Sequence, residues 1–221
     1  MAGPARVAYT AADRVGATGF GDALELLAHG LTFELEGLAP AASAPLPEIA
    51  HRYGLVPDYS FEGLEAVQLR AGAHLRGAEN LLPVVRALAG VAATLATLPD
   101  LAAIAWAHAR SAMGPEAFVR GTTTWLDGGA FPALGFTALV ALPDGTFRSE
   151  GLAFFTGQEI ELAPLAGRSP RDSARICVRL IDALIGADPL RESTRFTGPE
   201  GELLVAEISG KTNIIHISSM T

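Results

Sequence analysis

The amino-acid sequence predicts an α+β protein, with a mixed, largely antiparallel sheet and two long helices packed on one face of that sheet. Three observations lead to this fold class. Leu31, Phe33 and Leu35 alternate with polar residues, which is typical of a strand with one buried face. Two long segments repeat apolar residues every three or four positions, as amphipathic helices do. Turn-forming Pro, Asp and Gly residues separate the apolar segments of the C-terminal half.

The composition indicates a chain that can build a hydrophobic core without a disulfide. The protein has 221 residues, 49% of them apolar, and a mean hydropathy of +0.31. Only 18% of the residues are charged, which argues against disorder. We expect one domain over residues 1–221, with a weakly patterned N-terminal segment at 1–30 and a Pro-rich loop at 39–63.

The N-terminal half is predicted to contain helices and strands in alternation. A short helix is expected over 21–30, with Gly30 at its C-terminal end. Strands over 31–38 and 64–72 flank the Pro-rich loop, where a partner or ligand could be held. The main helix follows at 77–100, with Pro83 in its first turn and Pro99 at its end.

The next apolar segment, residues 101–109, is predicted to form a buried central strand. Strand, helix and strand in this order indicate a crossover that places two strands parallel in one sheet. A short helix within a loop is expected after it, over 110–133. The order of elements along the chain also suggests two related α/β halves.

The segment from Gly128 to Leu162 is the most strongly patterned part of the chain. Pro143, Asp144 and Gly145 predict a tight turn between two antiparallel strands, which are expected over 134–142 and 151–162. Gly157 is expected to mark a bulge in the second strand. The following helix has Ser169 as its N-cap. Its expected C-terminal end is Gly186, and a final hairpin is predicted after it.

The charge balance excludes several classes of partner. The net charge is −8, with a pI near 5.1, and the clustered basic residues of nucleic-acid-binding proteins are missing. A negative chain is also repelled by anionic membrane surfaces. The longest apolar stretch is interrupted by Arg86, two prolines and Asp100, so no membrane span is expected. We therefore expect a protein partner, and homo-oligomers are compatible with the hairpin strands.

Cysteine and histidine usage predicts neither a metal site nor a cofactor site. Cys177 is the single cysteine, which excludes an intramolecular disulfide and a thiolate cluster. No histidine pair has metal-binding helical spacing, and no dinucleotide fingerprint follows a strand. The N-terminus lacks a basic flank followed by an apolar run, so a cytoplasmic protein is expected. An excess of arginine over lysine is consistent with a GC-rich bacterial genome.

Four residues are candidates for catalysis. His108 and Arg110 lie on one side of a predicted strand, where they could act as a base and an anion clamp. The alternative is a core histidine followed by an arginine at the strand's exit to solvent. Glu159 and Glu161 lie on one face of a strand and could share acid and base roles. The alternative is the solvated face of an amphipathic strand.

Three aromatic residues are candidates for binding. Trp106 is on the same predicted strand face as His108, and Trp125 and Phe131 flank a glycine-rich loop. An exposed aromatic groove would suit a protein partner. The alternative is that these side chains close the end of a hydrophobic core.

The chain resembles uncharacterised bacterial families of the domain-of-unknown-function kind. The residues that carry the resemblance are WLDGGAFPALGF, SEGLAFFTGQEIEL, RICVRLIDALI and GPEGELL, together with FELEGLAP upstream. The similarity extends from Leu31 to the C-terminus. It implies a bacterial cytoplasmic α+β domain and no activity, cofactor or catalytic residue.

The expected function is a non-catalytic bacterial protein-interaction module of accessory, adaptor or immunity type. The alternative is an uncharacterised enzyme, of the hydrolase kind, that uses His108 and Arg110 with Glu159 or Glu161. A third hypothesis is a small-ligand sensor formed by the Pro-rich loop and the Trp125 region. It would require a concave apolar pocket with a few convergent polar groups.

Overall fold

The protein is an α+β protein whose strands pair mostly in the antiparallel sense, as predicted. The structure is a computed structural model that describes residues 8–11, 23–56, 58–198, 201–209 and 212–220. Two compact units are present. The first comprises Met1–Glu48, Gly54–Ile104 and Gly114–Gly128, and the second comprises Ile49–Tyr53, Ala105–Met113 and Gly129–Thr221. The single domain over 1–221 stays a prediction.

The described residues form thirteen strands and five α-helices. The strands are β1 (Ala8–Ala11), β2 (Leu24–Ala28), β3 (Leu31–Glu36), β4 (His51–Tyr53), β5 (Gln68–Ala71), β6 (Ile104–Trp106), β7 (Ser111–Met113), β8 (Ala138–Ala141), β9 (Phe147–Glu150), β10 (Glu159–Leu162), β11 (Thr194–Thr197), β12 (Leu203–Ile208) and β13 (Ile214–Ser219). The helices are α1 (Leu82–Leu95), α2 (Pro115–Leu126), α3 (Ala133–Phe136), α4 (Ala153–Thr156) and α5 (Pro170–Leu184).

The first unit contains an antiparallel sheet with the strand order β1-β2-β3-β5. The predicted helix over 21–30 is wrong, because residues 24–28 form β2. Leu26 and Ala28 are buried while Glu25 and Leu27 are exposed, which is the alternation of a strand. Both residues of the turn into β3 have positive φ, as a two-residue hairpin of type I′ requires: His29 at 52° and Gly30 at 77°.

Two helices complete the first unit. α1 packs against β3 and β5, and α2 packs against α1. Pro83 lies in the first turn of α1, as predicted. The core between α1 and the sheet consists of apolar side chains from both, namely Leu26, Ala28, Phe33, Leu35, Leu75, Val84, Ala87 and Val91.

The second unit contains the six-stranded sheet, with the order β11-β12-β13-β10-β9-β8. Only β10 and β13 pair in the parallel sense among the described strands of that sheet. A three-stranded sheet has the order β4-β7-β6, and its β4 and β7 are parallel. β4 lies inside the segment that was predicted to be a Pro-rich loop.

The arrangement of the strands differs from the expected single sheet. The described strands form three sheets, and residues 101–109 contribute only the short edge strand β6 instead of a buried central strand. β5 and β6 belong to different sheets, so the expected parallel crossover does not form. α1 packs on the four-stranded sheet and α5 on the six-stranded sheet, so they do not share one face. The relation between two α/β halves stays a prediction.

The tight turn predicted at Pro143 to Gly145 is confirmed, and it joins two antiparallel strands. β8 and β9 are antiparallel, and Gly145 has a φ of 87° in the turn between them. The second strand of the hairpin was predicted over 151–162, which is wrong, because β9 comes earlier, at Phe147–Glu150. The chain instead forms the short helix α4 after β9, and Gly157 ends that helix with a φ of 75° instead of marking a bulge. β10 begins only at Glu159.

α5 has the predicted N-terminus, with the Ser169 side chain accepting a hydrogen bond from the Asp172 N–H. Ile176, Cys177 and Ile181 are its buried side chains near the centre, and the helix packs against β9 and α3. Burial raises the pKa of the Cys177 thiol to about 12. The helix therefore joins the sheet through one apolar stripe.

The stripe on α5 should dominate the stability of the second unit. Ile181 is fully buried, so Ile181→Ala should lower the free energy of unfolding by about 2 to 5 kcal/mol. Arg179→Ala on the exposed side of the same helix should change it by no more than about 0.5 kcal/mol. Urea unfolding measures both, and equal effects would contradict the assigned packing of α5.

Candidate functional site

The segment from Trp106 to Arg110 is a turn and not the strand that the sequence predicted. β6 ends at Trp106, a 3₁₀ turn covers Ala107–Ala109, and Arg110 has the left-handed backbone conformation with a φ of 45°. Gly151 packs so closely on this turn that a Cβ there would lie 2.8 Å from the Cβ of Ala109. The side chains are therefore positioned by the turn and its neighbour, and not by strand alternation.

Four aromatic rings meet at this turn, and we call Trp106, His108, Phe154 and Phe155 the aromatic patch. The imidazole of His108 stacks on Phe154, with ring centroids 3.9 Å apart and an interplanar angle of 27°. Trp106 lies 5.3 Å from His108 and 5.5 Å from Phe154 between ring centroids. Phe155 lies 5.0 Å from Phe154. His108 is exposed and the other three are partly exposed, so the patch reaches the surface.

The aromatic patch is electrically neutral near pH 7. The His108 ring is partly shielded from water, and this loss of solvation lowers its pKa. The indole N–H of Trp106 is buried and has no hydrogen-bond partner among the residues that the structure describes. Ring contacts hold the indole instead, including a T-shaped contact with Phe136 at 5.0 Å.

An ion pair of Arg110 and Glu150 lies beside the patch, and the imidazole of His51 contacts it; we call His51, Arg110 and Glu150 the charged cluster. The guanidinium of Arg110 donates to both carboxylate oxygens of Glu150, with Nη2 3.1 Å from Oε2. His51 Nε2 lies 2.9 Å from the same Oε2. The backbone carbonyl of Arg110 also accepts the N–H groups of Ala50 and His51. Arg110 thus links two strands: its backbone carbonyl binds the start of β4, and its side chain binds Glu150 at the end of β9.

The charged cluster shifts the pKa values of Glu150 and of the neighbouring Tyr53. The hydrogen bond from Arg110 holds the pKa of Glu150 below its ordinary value, and His51 lowers it further against the opposing effect of burial. Burial raises the pKa of Tyr53, and the negative charge of Glu150 adds to that rise. Glu150 is therefore an ionised acceptor at neutral pH, and Tyr53 is a neutral phenol.

Glu159, a candidate catalytic residue, holds the turn from β9 into α4. Its carboxylate accepts the backbone N–H groups of Gly151 at 2.9 Å, Leu152 at 3.3 Å and Ala153 at 2.9 Å. It also accepts the hydroxyl of Ser149, which in turn accepts the N–H of Ile160. The carboxylate satisfies the N–H groups that an isolated helix start leaves unpaired.

Glu161, the second candidate carboxylate, belongs to a row of polar side chains across the six-stranded sheet. Arg148 of β9 and His216 of β13 are its cross-strand neighbours, and both contact its carboxylate. The His216 Nδ1 to Glu161 Oε2 distance is 2.9 Å. The structure brings Glu150, and neither of these two glutamates, to Arg110.

The remaining candidate binding residues are buried. Trp125 lies in the first unit, where the guanidinium of Arg86 sits 4.9 Å above its ring and donates to the Trp125 carbonyl. Phe131 lies in the second unit, in T-shaped contact with Phe155 at 5.3 Å. Both side chains are only 5% exposed. Phe131 supports the aromatic patch from below, and a binding role for either residue stays a prediction.

Three residues of the site, His51, Glu150 and Phe154, were not predicted from the sequence. His51 and Glu150 are 99 positions apart, so no local spacing could join them. The sequence pointed to His51 only indirectly, because the Pro-rich loop that contains it was expected to hold a partner or ligand. Phe154 lies in a segment whose apolar residues suit a strand as well as a helix, so its position in α4 was not predicted.

Glu150 should stabilise the second unit in a pH-dependent way. Its pKa is lowered in the folded state, so its contribution is present above the ordinary value of 4.5 and is lost as the pH falls through the lower folded pKa. Glu150→Gln should therefore lower the free energy of unfolding at pH 7 by about 1 kcal/mol, and less below about pH 4. Urea unfolding across pH measures this, with the exposed Glu65→Gln as the control. A difference that does not depend on pH would contradict the ion pair.

Glu159 should act as a structural cap. Glu159→Ala leaves three backbone N–H groups and one hydroxyl without their acceptor, so we expect a loss of about 2 kcal/mol in unfolding free energy. Glu161→Ala, which removes a surface ion pair, should cost at most about 1 kcal/mol. Equal losses in the two variants, measured by urea unfolding, would show that Glu159 does not hold the turn.

No group of three or more metal-ligating side chains converges within the described residues. None of the described helices combines the length and the apolar character needed to cross a bilayer. Comparison of the chain with protein-family models, with curated proteins and with solved structures finds no match.

Proposed function

We propose that this protein is a non-catalytic interaction module of the bacterial cytoplasm, of accessory, adaptor or immunity type, that binds another protein. The observation that carries the proposal is the aromatic patch beside the charged cluster. Aromatic and arginine side chains are enriched at the energetic centre of protein interfaces, and polar groups at the rim. The bacterial and cytoplasmic parts rest on the sequence alone.

Apart from His51 of β4, the two features come from the same two chain segments. Residues 106–110 carry Trp106, His108 and Arg110, while residues 150–155 carry Glu150 and the two phenylalanines of the patch. A partner that covered His108 would therefore also approach Arg110, whose side chain is 42% exposed. Because His108 is neutral near pH 7, a partner that buried the patch would not have to bury an unpaired charge.

The position of the predicted carboxylates supports a non-catalytic role. Glu159 is committed to backbone N–H groups, and Glu161 to Arg148 and His216. These structural contacts account for both carboxylates without a catalytic role. The net charge of −8 favours a partner with a basic surface, because complementary fields speed association and reject wrong partners.

A catalytic role, of the hydrolase kind, is the second candidate. It is favoured by the left-handed backbone of Arg110, since conformations of this kind concentrate at functional sites. In this candidate Glu150 replaces Glu159 or Glu161 as the carboxylate that works with His108 and Arg110. Loss of an ester- or phosphoester-cleaving activity in both His108→Ala and Glu150→Gln would favour it over the interaction module.

The aromatic patch should carry the binding energy. Purification of the protein from its own host, followed by native mass spectrometry, should show a protein adduct of fixed stoichiometry. Phe154→Ala should weaken that complex by about 2 kcal/mol, or roughly thirtyfold in Kd, because it removes the ring on which His108 stacks. His108→Ala should weaken it in the same direction.

Arg179→Ala, on the exposed side of α5, is the matched control and should leave the complex unchanged. An adduct that survives both patch variants at wild-type stability would place the partner elsewhere on the protein. A bare protein without any protein adduct would contradict the interaction module itself.

A further inference from the structure

The six-stranded sheet ends in an exposed edge at β11. β11 is the last strand of the described sheet, and Thr194, Arg195 and Thr197 are exposed. Phe196 is half-buried, opposite the fully buried Leu204. An edge strand presents backbone N–H and C=O groups that the sheet does not use.

Two hydrogen bonds show which backbone groups of β11 point away from the sheet. The Gly198 N–H donates to the Glu202 carbonyl at 2.7 Å, just beyond the paired strands. The Met220 N–H donates to the Leu203 carbonyl at 2.9 Å, which turns the backbone of Leu203 toward β13. Because the pairing alternates along an antiparallel strand, Phe196 bonds to β12, and Arg195 and Thr197 direct their N–H and C=O groups outward.

Apolar surface lies next to this edge. Leu203, which is opposite Thr197, is 59% exposed, and Met220 beside it is 38% exposed. Arg195 is exposed two residues before Thr197 on the same face, and it makes no ion pair with any residue that the structure describes. The outer face at the edge therefore combines a free positive charge with an apolar surface.

An open groove adjoins the start of β11. It has a volume of about 600 Å³ and is lined by residues 188–194. The buried amide of Gln158 fixes this loop, because its Nε2 donates to the Leu190 carbonyl and its Oε1 accepts the Leu190 N–H, both at 2.9 Å. These two hydrogen bonds hold the loop that lines the groove, and this loop leads directly into β11.

The geometry points to β11 and the adjoining groove as the docking site for an extended segment of another protein. The segment adds to the sheet through the outward backbone groups of Arg195 and Thr197, which is the β-strand addition mode of peptide recognition. It carries an acidic side chain opposite Arg195 and an apolar side chain that reaches over Thr197 toward Leu203. This site does not depend on the aromatic patch, so either can fail without the other.

A display library of random peptides of about twelve residues, selected on the purified protein, tests the site directly. The enriched peptides should carry an acidic residue and an apolar residue two positions apart, since Arg195 and Thr197 lie on the same face of β11. Thr197→Pro removes one outward N–H at an edge position where proline is tolerated, and it should weaken the enriched peptides by about tenfold or more. Thr197→Ala keeps that N–H and should bind as the wild type does.

Arg195→Glu tests the charge and leaves the edge N–H groups in place. The same library should then yield basic peptides in place of acidic ones. Urea unfolding checks that each variant is folded.

Three outcomes would overturn the inference. The enriched peptides could bind Thr197→Pro and Thr197→Ala equally, or the library could yield no pair of acidic and apolar residues two positions apart. A concentration-dependent dimer of the wild type that Thr197→Pro abolishes would assign the edge to a second copy of this chain instead.

Discussion

The carboxylate of Glu159 determines how the chain leaves β9, and the candidate site depends on that turn. Three consecutive N–H groups after Glu150 would point into a poorly hydrated space if no acceptor met them. With the acceptor in place, the chain begins α4 at Ala153, and Phe154 comes to lie under His108. The same turn leaves Glu150 at the end of β9, within reach of Arg110.

The site that results is built from a buried apolar base and a charged border. Phe131 and Phe136 are buried beneath the partly exposed rings, so the aromatic patch is supported from below. The bidentate contact between Arg110 and Glu150 restrains the border, since the planar guanidinium fits a carboxylate in few orientations. A surface that is ordered before it binds loses less conformational entropy on association.

The elements that the sequence predicted are those with strong local signals. Ser169 and the apolar stripe specify α5, and Pro143 to Gly145 specify the turn between β8 and β9. β2 was missed because its apolar residues also suit a helix, and the two-residue turn at His29 was not recognised. The candidate site was found only in part, because Arg110 and Glu150 come together through the three-dimensional arrangement of two sheets. No spacing within one segment encodes that contact.

The burial of Cys177 gives the protein a built-in reporter of its own motions. A thiol with a pKa near 12 is almost entirely protonated under ordinary conditions, and inside the folded chain it is also out of reach of reagents. Alkylation must then wait for α5 to separate from the sheet. The rate at which a thiol reagent modifies the native protein would therefore measure how often that helix opens. The measurement reports on one residue and needs no engineered label.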